Sequence, residues 1–191
     1  MYESKNFERL LGTEGFSDAI LRNHFTLYEG YVSNINKVAD FLKTVEVGTP
    51  PYSELKRRFG WEWNGMRLHE LYFGNLVNGG SILNKKGEFA KKIEENFGSL
   101  EAWEKDFKAV GSMRGIGWVI LACDNETGRL FNIWCNEHDS GHLSGAAILL
   151  VMDVFEHAFL LDYGLKRAEY ITSFWNAIDW DTVESRFLAG K

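Results

Sequence analysis

The stretch "LLVMDVFEHAFLLDYG", Leu149 to Gly164, places Asp153 and His157, with Glu156 between them, inside an otherwise apolar run. A carboxylate that folding removes from water costs several kcal/mol unless it is paired. Asp153 and His157 therefore each need a partner if the run lies in the core. That partner is a hydrogen-bond donor, a cation or a metal ion.

The segment that leads into this run predicts a strand. "GAAILLVMDVF" is ambiguous between strand and helix, and we favour a strand because Gly145 precedes it and only two other strands are predicted. "GWVILACD" and "RLFNIWC" are β-rich runs on either side of the turn signal "NETG". Cys123 and Cys135 lie in these two runs, and we expect both to be reduced, buried thiols of a cytoplasmic protein. A three-stranded antiparallel sheet results.

Helical patterns flank the predicted sheet on both sides. "SDAILRNHFTLYEGYVSNINKVADFLKTV" predicts a long helix capped by Ser17 and stopped by "GTPPYS", and "WNGMRLHELYFGNLV" predicts a second helix that ends at "NGGS". "GEFAKKIEENFG", "SLEAWEKDFKAVGSM" with Ser99 as its cap, "LKRAEYITSFWNAI" and "DWDTVESRFLAG" predict further helices. We therefore expect an α+β fold, with an α-hairpin domain over residues 1–81 and a C-terminal domain over residues 82–191.

Composition limits the classes of partner. The chain has 191 residues and a net charge of -6, which argues against broad binding to nucleic acid or to an anionic membrane surface. A small anionic ligand remains possible, because a local cationic site can act against the overall charge. The N-terminal stretch "MYESKNFERLLGTEGFSD" lacks the pattern of a secretory signal, and no apolar run reaches membrane-spanning length, so we expect a cytoplasmic protein.

Histidines outside the opening run supply further ligand candidates. His24 and His69 each lie in the middle of a predicted helix among apolar neighbours. A single buried histidine with one hydrogen bond is more common than a metal ligand, but three histidines and Asp153 on separate elements suit one transition-metal site of mixed nitrogen and oxygen ligands. Imidazole and carboxylate ligands admit iron, manganese or zinc, and no cysteine belongs to the set.

Several motifs resemble the iron/manganese superoxide dismutase family. "MDVFEHAFLLDYGLKRAEYITSFWNAIDWDTVESRF" is similar to the family's C-terminal signature, D-x-W-E-H-A followed by a Y-I…W-N…W segment. "WNGMRLHELYFGNL" resembles the N-G-H-x-L-H-x-x-Y-W segment of archaeal-type members, "RGIGWVIL" resembles G-S-G-W, and "NEHDSGHLSG" resembles the loop with the outer-sphere Gln or His. The likeness spans nearly the whole chain.

The resemblance implies a function and a set of residue roles. It implies dismutation of superoxide, a small anion, to oxygen and hydrogen peroxide by one redox-cycling iron or manganese ion per subunit, in a site between the two domains of a homodimer or homotetramer. It implies that the metal ligands are His24, His69, Asp153 and His157. Tyr31 would be the gateway Tyr beside the open coordination position, and His138 would be the outer-sphere group. The pocket walls would be Trp118, Phe73 and Phe155, and Glu156 would make a hydrogen bond across the dimer to the partner's His157.

The resemblance also bears on register and on metal choice. The family's first ligand lies eight residues before the gateway Tyr, where this chain has Asn23. We predict that His24 is the ligand instead, through a deletion that removes a bulged helical turn. Gly65, four residues before His69, leaves room for His138, and this combination resembles members that use manganese or accept either metal.

Other readings of the same sequence stay open. A metal-binding paralogue with weak or no dismutase activity is one, since Leu27 and Leu160 stand where the family has residues that serve the gateway and the dimer contact. A metal-free interaction scaffold is another, and a hydrolytic zinc enzyme is a third, although the chain lacks an H-E-x-x-H motif. His142, Glu137 and Asp139 are interpreted as an ordinary loop histidine and solvated loop charges.

Overall fold

The computed structural model describes residues 1–190, which form seven α-helices and one three-stranded sheet. The predicted α+β fold, with N-terminal helices ahead of an antiparallel sheet, is confirmed. The elements are α1 Asp18–Phe41, α2 Pro50–Gly74, α3 Glu88–Phe97, α4 Leu100–Gly111, β1 Trp118–Asp124, β2 Leu130–Cys135, β3 Ala146–Asp153, α5 Leu160–Tyr163, α6 Arg167–Asn176 and α7 Trp180–Ala189, with short 3-10 turns at Glu8–Leu10 and Glu156–Ala158.

The predicted helix caps are confirmed. Ser17 Oγ accepts the Ile20 N–H at 3.1 Å, and Ser99 Oγ accepts the Ala102 N–H at 3.0 Å. Each bond satisfies one of the backbone donors that the first turn of a helix leaves free. Helix α1 therefore starts where the sequence predicts, although it ends at Phe41 rather than near residue 45.

Helix α2 begins earlier than predicted. The segment "GTPPYS", predicted as a connection, supplies the start of the helix, because Pro50 and Pro51 occupy its first turn and Thr49 accepts the Tyr52 N–H. Proline loses nothing at these positions, since the first backbone donors of a helix have no intrahelical partner. One continuous helix therefore carries everything from Pro50 to Gly74.

The sheet has the strand order β2-β1-β3 and is antiparallel throughout, so the ambiguous third run is a strand, as predicted. Ile120 at the centre of β1 pairs with Ile133 on β2 and with Val151 on β3. At one end of the sheet Trp118 pairs with Asp153. This pairing brings the Trp118 indole and the buried Asp153 carboxylate to the same end of the sheet.

Helix α2 is bonded directly to strand β3. Asn75, at the end of α2 and completely buried, accepts the Val151 N–H at 3.0 Å and donates to the Val151 carbonyl at 3.2 Å. Arg186 on α7 donates to the carbonyls of Leu71, at 3.0 Å, and Leu149, at 2.9 Å. These bonds fix the helical hairpin against the sheet.

The two cysteines differ in burial. Cys135 on β2 is buried, as expected, whereas Cys123 on the adjacent strand β1 is only half-buried. Among the helices of residues 1–190, none combines the length and the apolar character that crossing a lipid bilayer requires.

Candidate metal centre

Four side chains from four elements meet at one point. Helix α1 supplies His24, α2 supplies His69, β3 supplies Asp153 and the turn after β3 supplies His157, and one ligand-type atom of each lies within 4.8 Å of the others. Three of the four are buried, while the His157 side chain is 30% exposed. The structure thus brings together all four residues that the resemblance implied as ligands.

The Asp153 carboxylate lies at the middle of this cluster. Its Oδ2 is 3.2 Å from His24 Nε2, 3.1 Å from His157 Nε2 and 3.7 Å from His69 Nε2. Its Oδ1 accepts the Phe155 N–H at 2.8 Å and is therefore occupied. A single carboxylate oxygen faces the three imidazoles.

His69 provides the clearest test of whether a cation fits. Its Nδ1–H donates to the Gly65 carbonyl at 2.5 Å, which leaves the lone pair on Nε2. That Nε2 is buried and has no hydrogen-bond partner within residues 1–190. A buried acceptor that faces a carboxylate and two other imidazoles is what a bound metal ion would satisfy, so the residues fit a metal centre.

The protonation of the cluster also suits a metal. Burial lowers the pKa of His24 and of His69, which keeps both rings neutral at neutral pH. Burial alone would raise the pKa of Asp153, but His157 and His24 outweigh it and hold that pKa well below its usual range. The set offers one carboxylate and, at His24 and His69, two neutral imidazoles, a donor mixture found in iron, manganese and zinc sites.

Beside the cluster, His138 joins two of the predicted site residues. Trp118 Nε1–H donates to His138 Nδ1 at 3.0 Å, and His138 Nε2 lies 2.7 Å from Tyr31 Oη. Burial lowers the pKa of His138 to about 4, so the ring is neutral and its one proton is on Nε2. The ring therefore donates to Tyr31 Oη and leaves the phenolic proton of Tyr31 available.

Aromatic rings enclose the cluster. Trp118 lies 5.0 Å from His69 and Phe73 lies 4.9 Å from His24, both as ring-centroid distances. Phe155 stacks on His157 at 5.4 Å. Aromatic rings therefore pack directly against three of the four ligand-type side chains.

Gly65 serves Tyr31 rather than His138 directly. A β-carbon at this position would lie 2.5 Å from Tyr31 Cδ1, so the space that Gly65 leaves is filled by the Tyr31 ring. That ring also stacks on His69, with centroids 5.2 Å apart. The expectation that Gly65 makes room for His138 is therefore wrong, because the Tyr31 ring takes that space.

The prediction that Glu137 is a solvated loop charge is wrong. Its Oε2 is buried and has no hydrogen-bond partner among residues 1–190, whereas Asp139 is exposed as predicted. The Glu137 side chain as a whole is half-buried, and the loop that carries it lies on α2, where a β-carbon at Gly60 would be 3.7 Å from Asp139 Cβ.

Sequence reasoning missed a second buried acid, Glu62 on α2. It is 2% exposed, accepts from Arg58 Nε at 2.7 Å through Oε1, and leaves Oε2 without a partner among the described residues. Its neighbour Trp61 lies 4.7 Å from the His138 ring. The signal was available, since Glu62 stands seven residues before His69, two helical turns away on one face.

The chain is similar to known metalloenzymes over most of its length. The family model described as "Iron/manganese superoxide dismutases, C-terminal domain" matches residues 85–186. An iron superoxide dismutase of Cupriavidus metallidurans is 35% identical over 92% of this chain and 90% of its own length, and one of Aquifex pyrophilus is 36% identical over 97% and 90%. The chain belongs to the iron/manganese superoxide dismutase family. A manganese relative, superoxide dismutase 2 of Haloferax volcanii, is 33% identical over 86% of the chain and 83% of its own length.

The segment that matches the family model contains only two of the four clustered residues. Residues 85–186 contain Asp153 and His157, but His24 and His69 lie outside them. Those two histidines join the cluster through the packing of α1 and α2. Family membership and the cluster therefore point to one metal centre on separate grounds.

Proposed function

We propose that this chain is a superoxide dismutase that holds one iron or manganese ion with His24 Nε2, His69 Nε2, Asp153 Oδ2 and His157 Nε2. The observation that carries the proposal is the buried four-residue cluster with the unpartnered Nε2 of His69. Relatives named as iron and as manganese superoxide dismutases, which cover most of the chain, supply the reaction. A bound ion supplies the one-electron chemistry of dismutation, in which one superoxide is oxidised to oxygen and another is reduced, with two protons, to hydrogen peroxide.

The ligand residues set the charge of the site. Asp153 contributes one negative charge and the buried imidazoles of His24 and His69 contribute none, because burial lowers their pKa. The positive charge at the centre is therefore only partly neutralised, and the site attracts a small anion despite the net charge of -6.

Tyr31 and His138 hold and move protons in the proposed reaction. His138 Nε2–H donates to Tyr31 Oη, so Tyr31 keeps a phenolic proton to donate to reduced substrate. The Tyr31 side chain is half-buried, which lets the phenol regain a proton from solvent. Trp118 fixes the orientation of His138 through Nδ1, and the Trp118, Phe73 and Phe155 rings keep larger molecules out.

We further propose that two chains associate at the Glu156 side of the centre, as a homodimer or as a homotetramer built from it. Glu156 is exposed beside the half-exposed His157, and Leu160 and Leu161 next to them are 44% and 60% exposed. In the dimer, Glu156 would accept a hydrogen bond from His157 of the partner subunit and orient that ring. Sedimentation of the parent and of Glu156→Gln over a series of protein concentrations tests this. The variant should already be dissociated at concentrations at which the parent is still assembled.

The division into residues 1–81 and 82–191 stays part of the proposal, with the metal centre between the two domains. Each domain would supply two ligands, and cleavage after limited proteolysis should then fall near residue 81. We also propose a place in the cytoplasm, where a thiol such as that of the buried Cys135 is kept reduced.

Metal loading tests the function itself. Purified chain is loaded separately with Fe²⁺, Mn²⁺ and Zn²⁺, and the metal per chain and the dismutation rate are measured. We expect about one ion per chain and dismutation with iron, manganese or both. Stoichiometric metal without dismutation would favour the inactive paralogue, no bound metal would favour the scaffold, and binding of zinc alone would favour the hydrolase.

A further inference from the structure

The loop that carries His138 has little main-chain support. Residues 136–145 connect β2 to β3. The backbone bonds that hold this loop lie at its far end, from Ala146 N–H to Leu143 O at 3.2 Å and from Asn125 N–H to Gly145 O at 3.3 Å. Backbone groups without such bonds leave a loop free to move. The position of His138 therefore depends on side-chain contacts.

His142 makes two of those contacts. Its Nε2 lies 2.7 Å from the His138 carbonyl oxygen, and its Nδ1 lies 3.8 Å from the Sγ of Cys135, the last residue of β2. A carbonyl only accepts, so the ring proton is on Nε2 and is donated to His138. Burial raises the pKa of Cys135 to about 12, so this residue remains a thiol that donates to Nδ1.

These two bonds join the rigid end of a strand to the main chain of His138. On the other side, the His138 ring is fixed by Trp118 Nε1 at 3.0 Å and Tyr31 Oη at 2.7 Å. The ring meets both partners at once only if its backbone stays in place. Within residues 1–190, His142 is the side chain that bonds the His138 carbonyl directly.

We propose that His142 is a positioning residue for the reaction: by holding the His138 carbonyl, it keeps the His138 ring bonded to Trp118 and Tyr31 together. The inference rests on the proposed function for the role of the Tyr31–His138 pair. The sequence indicated only a loop position for His142. In this proposal Cys135 anchors the His142 ring, and the ring in turn holds the His138 carbonyl.

Two substitutions separate positioning from loop stability. His142→Gln keeps an N–H donor at about the reach of the imidazole, and His142→Leu keeps the volume but removes the donor. Ser144→Ala, at an exposed position of the same loop, is the matched control. The first readout is the hydrogen-exchange rate of the Trp118 indole N–H, measured by NMR on the full chain without metal. The second is the dismutation rate per bound metal ion.

We expect His142→Leu to speed exchange of the Trp118 indole proton by about three- to tenfold, the factor that one ordinary hydrogen bond supplies. The dismutation rate per bound ion should fall by a similar factor, while His142→Gln and Ser144→Ala resemble the parent. An unchanged indole exchange rate in His142→Leu would overturn the inference, even if its melting temperature fell. If the parent shows no dismutation, the proposed function fails, yet the exchange rates still decide the role of His142.

Discussion

Replacing His24 by alanine should remove tight metal binding and leave the fold in place. His24 supplies one of four ligand atoms and one of the two shortest contacts to Asp153 Oδ2. The remaining three ligands can hold an ion only with an incomplete set. The neighbouring residue Asn23 is exposed, so Asn23→Ala removes a polar side chain of α1 without touching the cluster.

The size of the effect follows from linkage. Changing a residue that only supports a ligand costs about 10- to 100-fold in metal affinity, so loss of a ligand should cost at least about 100-fold. With free metal at 100 times the parent's Kd, binding stabilises the parent by about 2.7 kcal/mol, and a 100-fold weaker variant by only about 0.4 kcal/mol. For a chain of 191 residues, this difference lowers the metal-induced rise in Tm by about 5–9 °C.

The assay compares Tm with and without metal for each variant. Taking the difference within one variant cancels the cost of the cavity that alanine leaves at a buried position. Metal per chain, measured by atomic absorption after dialysis, should fall from about one to near zero for His24→Ala and stay at the parent value for Asn23→Ala. A His24→Ala protein that retains metal and the full rise in Tm would refute the proposed ligand set.

Three other changes should give distinct results. Gly65→Ala should displace the Tyr31 ring and reduce dismutation at unchanged metal content. In Gly30→Ala the new β-carbon meets open space, so this variant should have a free energy of unfolding about 0.5–1 kcal/mol higher than the parent. Activity, metal content and denaturant midpoints separate the two variants. Asn75→Ala should lower the free energy of unfolding by about 2–4 kcal/mol in urea titrations, because it strips both buried bonds from one residue of β3. Burial lowers the pKa of His138 to about 4, so as pH falls the unfolded chain takes up this proton before the folded chain does. The metal-free chain should therefore lose about 3 kcal/mol of its free energy of unfolding between about pH 6.5 and about pH 4 because of His138. His138→Gln should not show this part of the loss.

Local signals in the sequence predicted the elements well. Ser17 and Ser99 mark helix starts because their side chains satisfy the free donors of the first turn, and both caps are present. The start of α2 was misplaced because proline is ambiguous, since it interrupts a helix yet also suits a first turn. Nothing local in "GTPPYS" distinguishes those two outcomes.

The site divides in the same way between local and distant causes. Adjacent residues of a helix point about 100° apart, so only one of Asn23 and His24 can face the centre, and the structure turns His24 inward. The burial of Glu137 Oε2 could not be predicted, because no local pattern in the sequence shows where the β2–β3 loop lies, and part of that loop lies on α2. Such contacts are set by tertiary packing rather than by neighbours in sequence.

Assembly of the metal centre depends on how firmly α2 is held against the sheet. Arg9 of the N-terminal segment donates to Phe73 O in the last turn of α2 at 3.0 Å and to Leu76 O just after the helix at 2.7 Å. Asn75 joins the end of the helix to β3. His69 lies one to two turns before these bonds, and Asp153 lies two residues beyond the strand position that Asn75 contacts. The same contacts therefore fix the fold and set the distance between ligands on different elements. A metal bound across that junction would in turn stabilise it, so occupancy of the centre and docking of α2 on the sheet must rise and fall together.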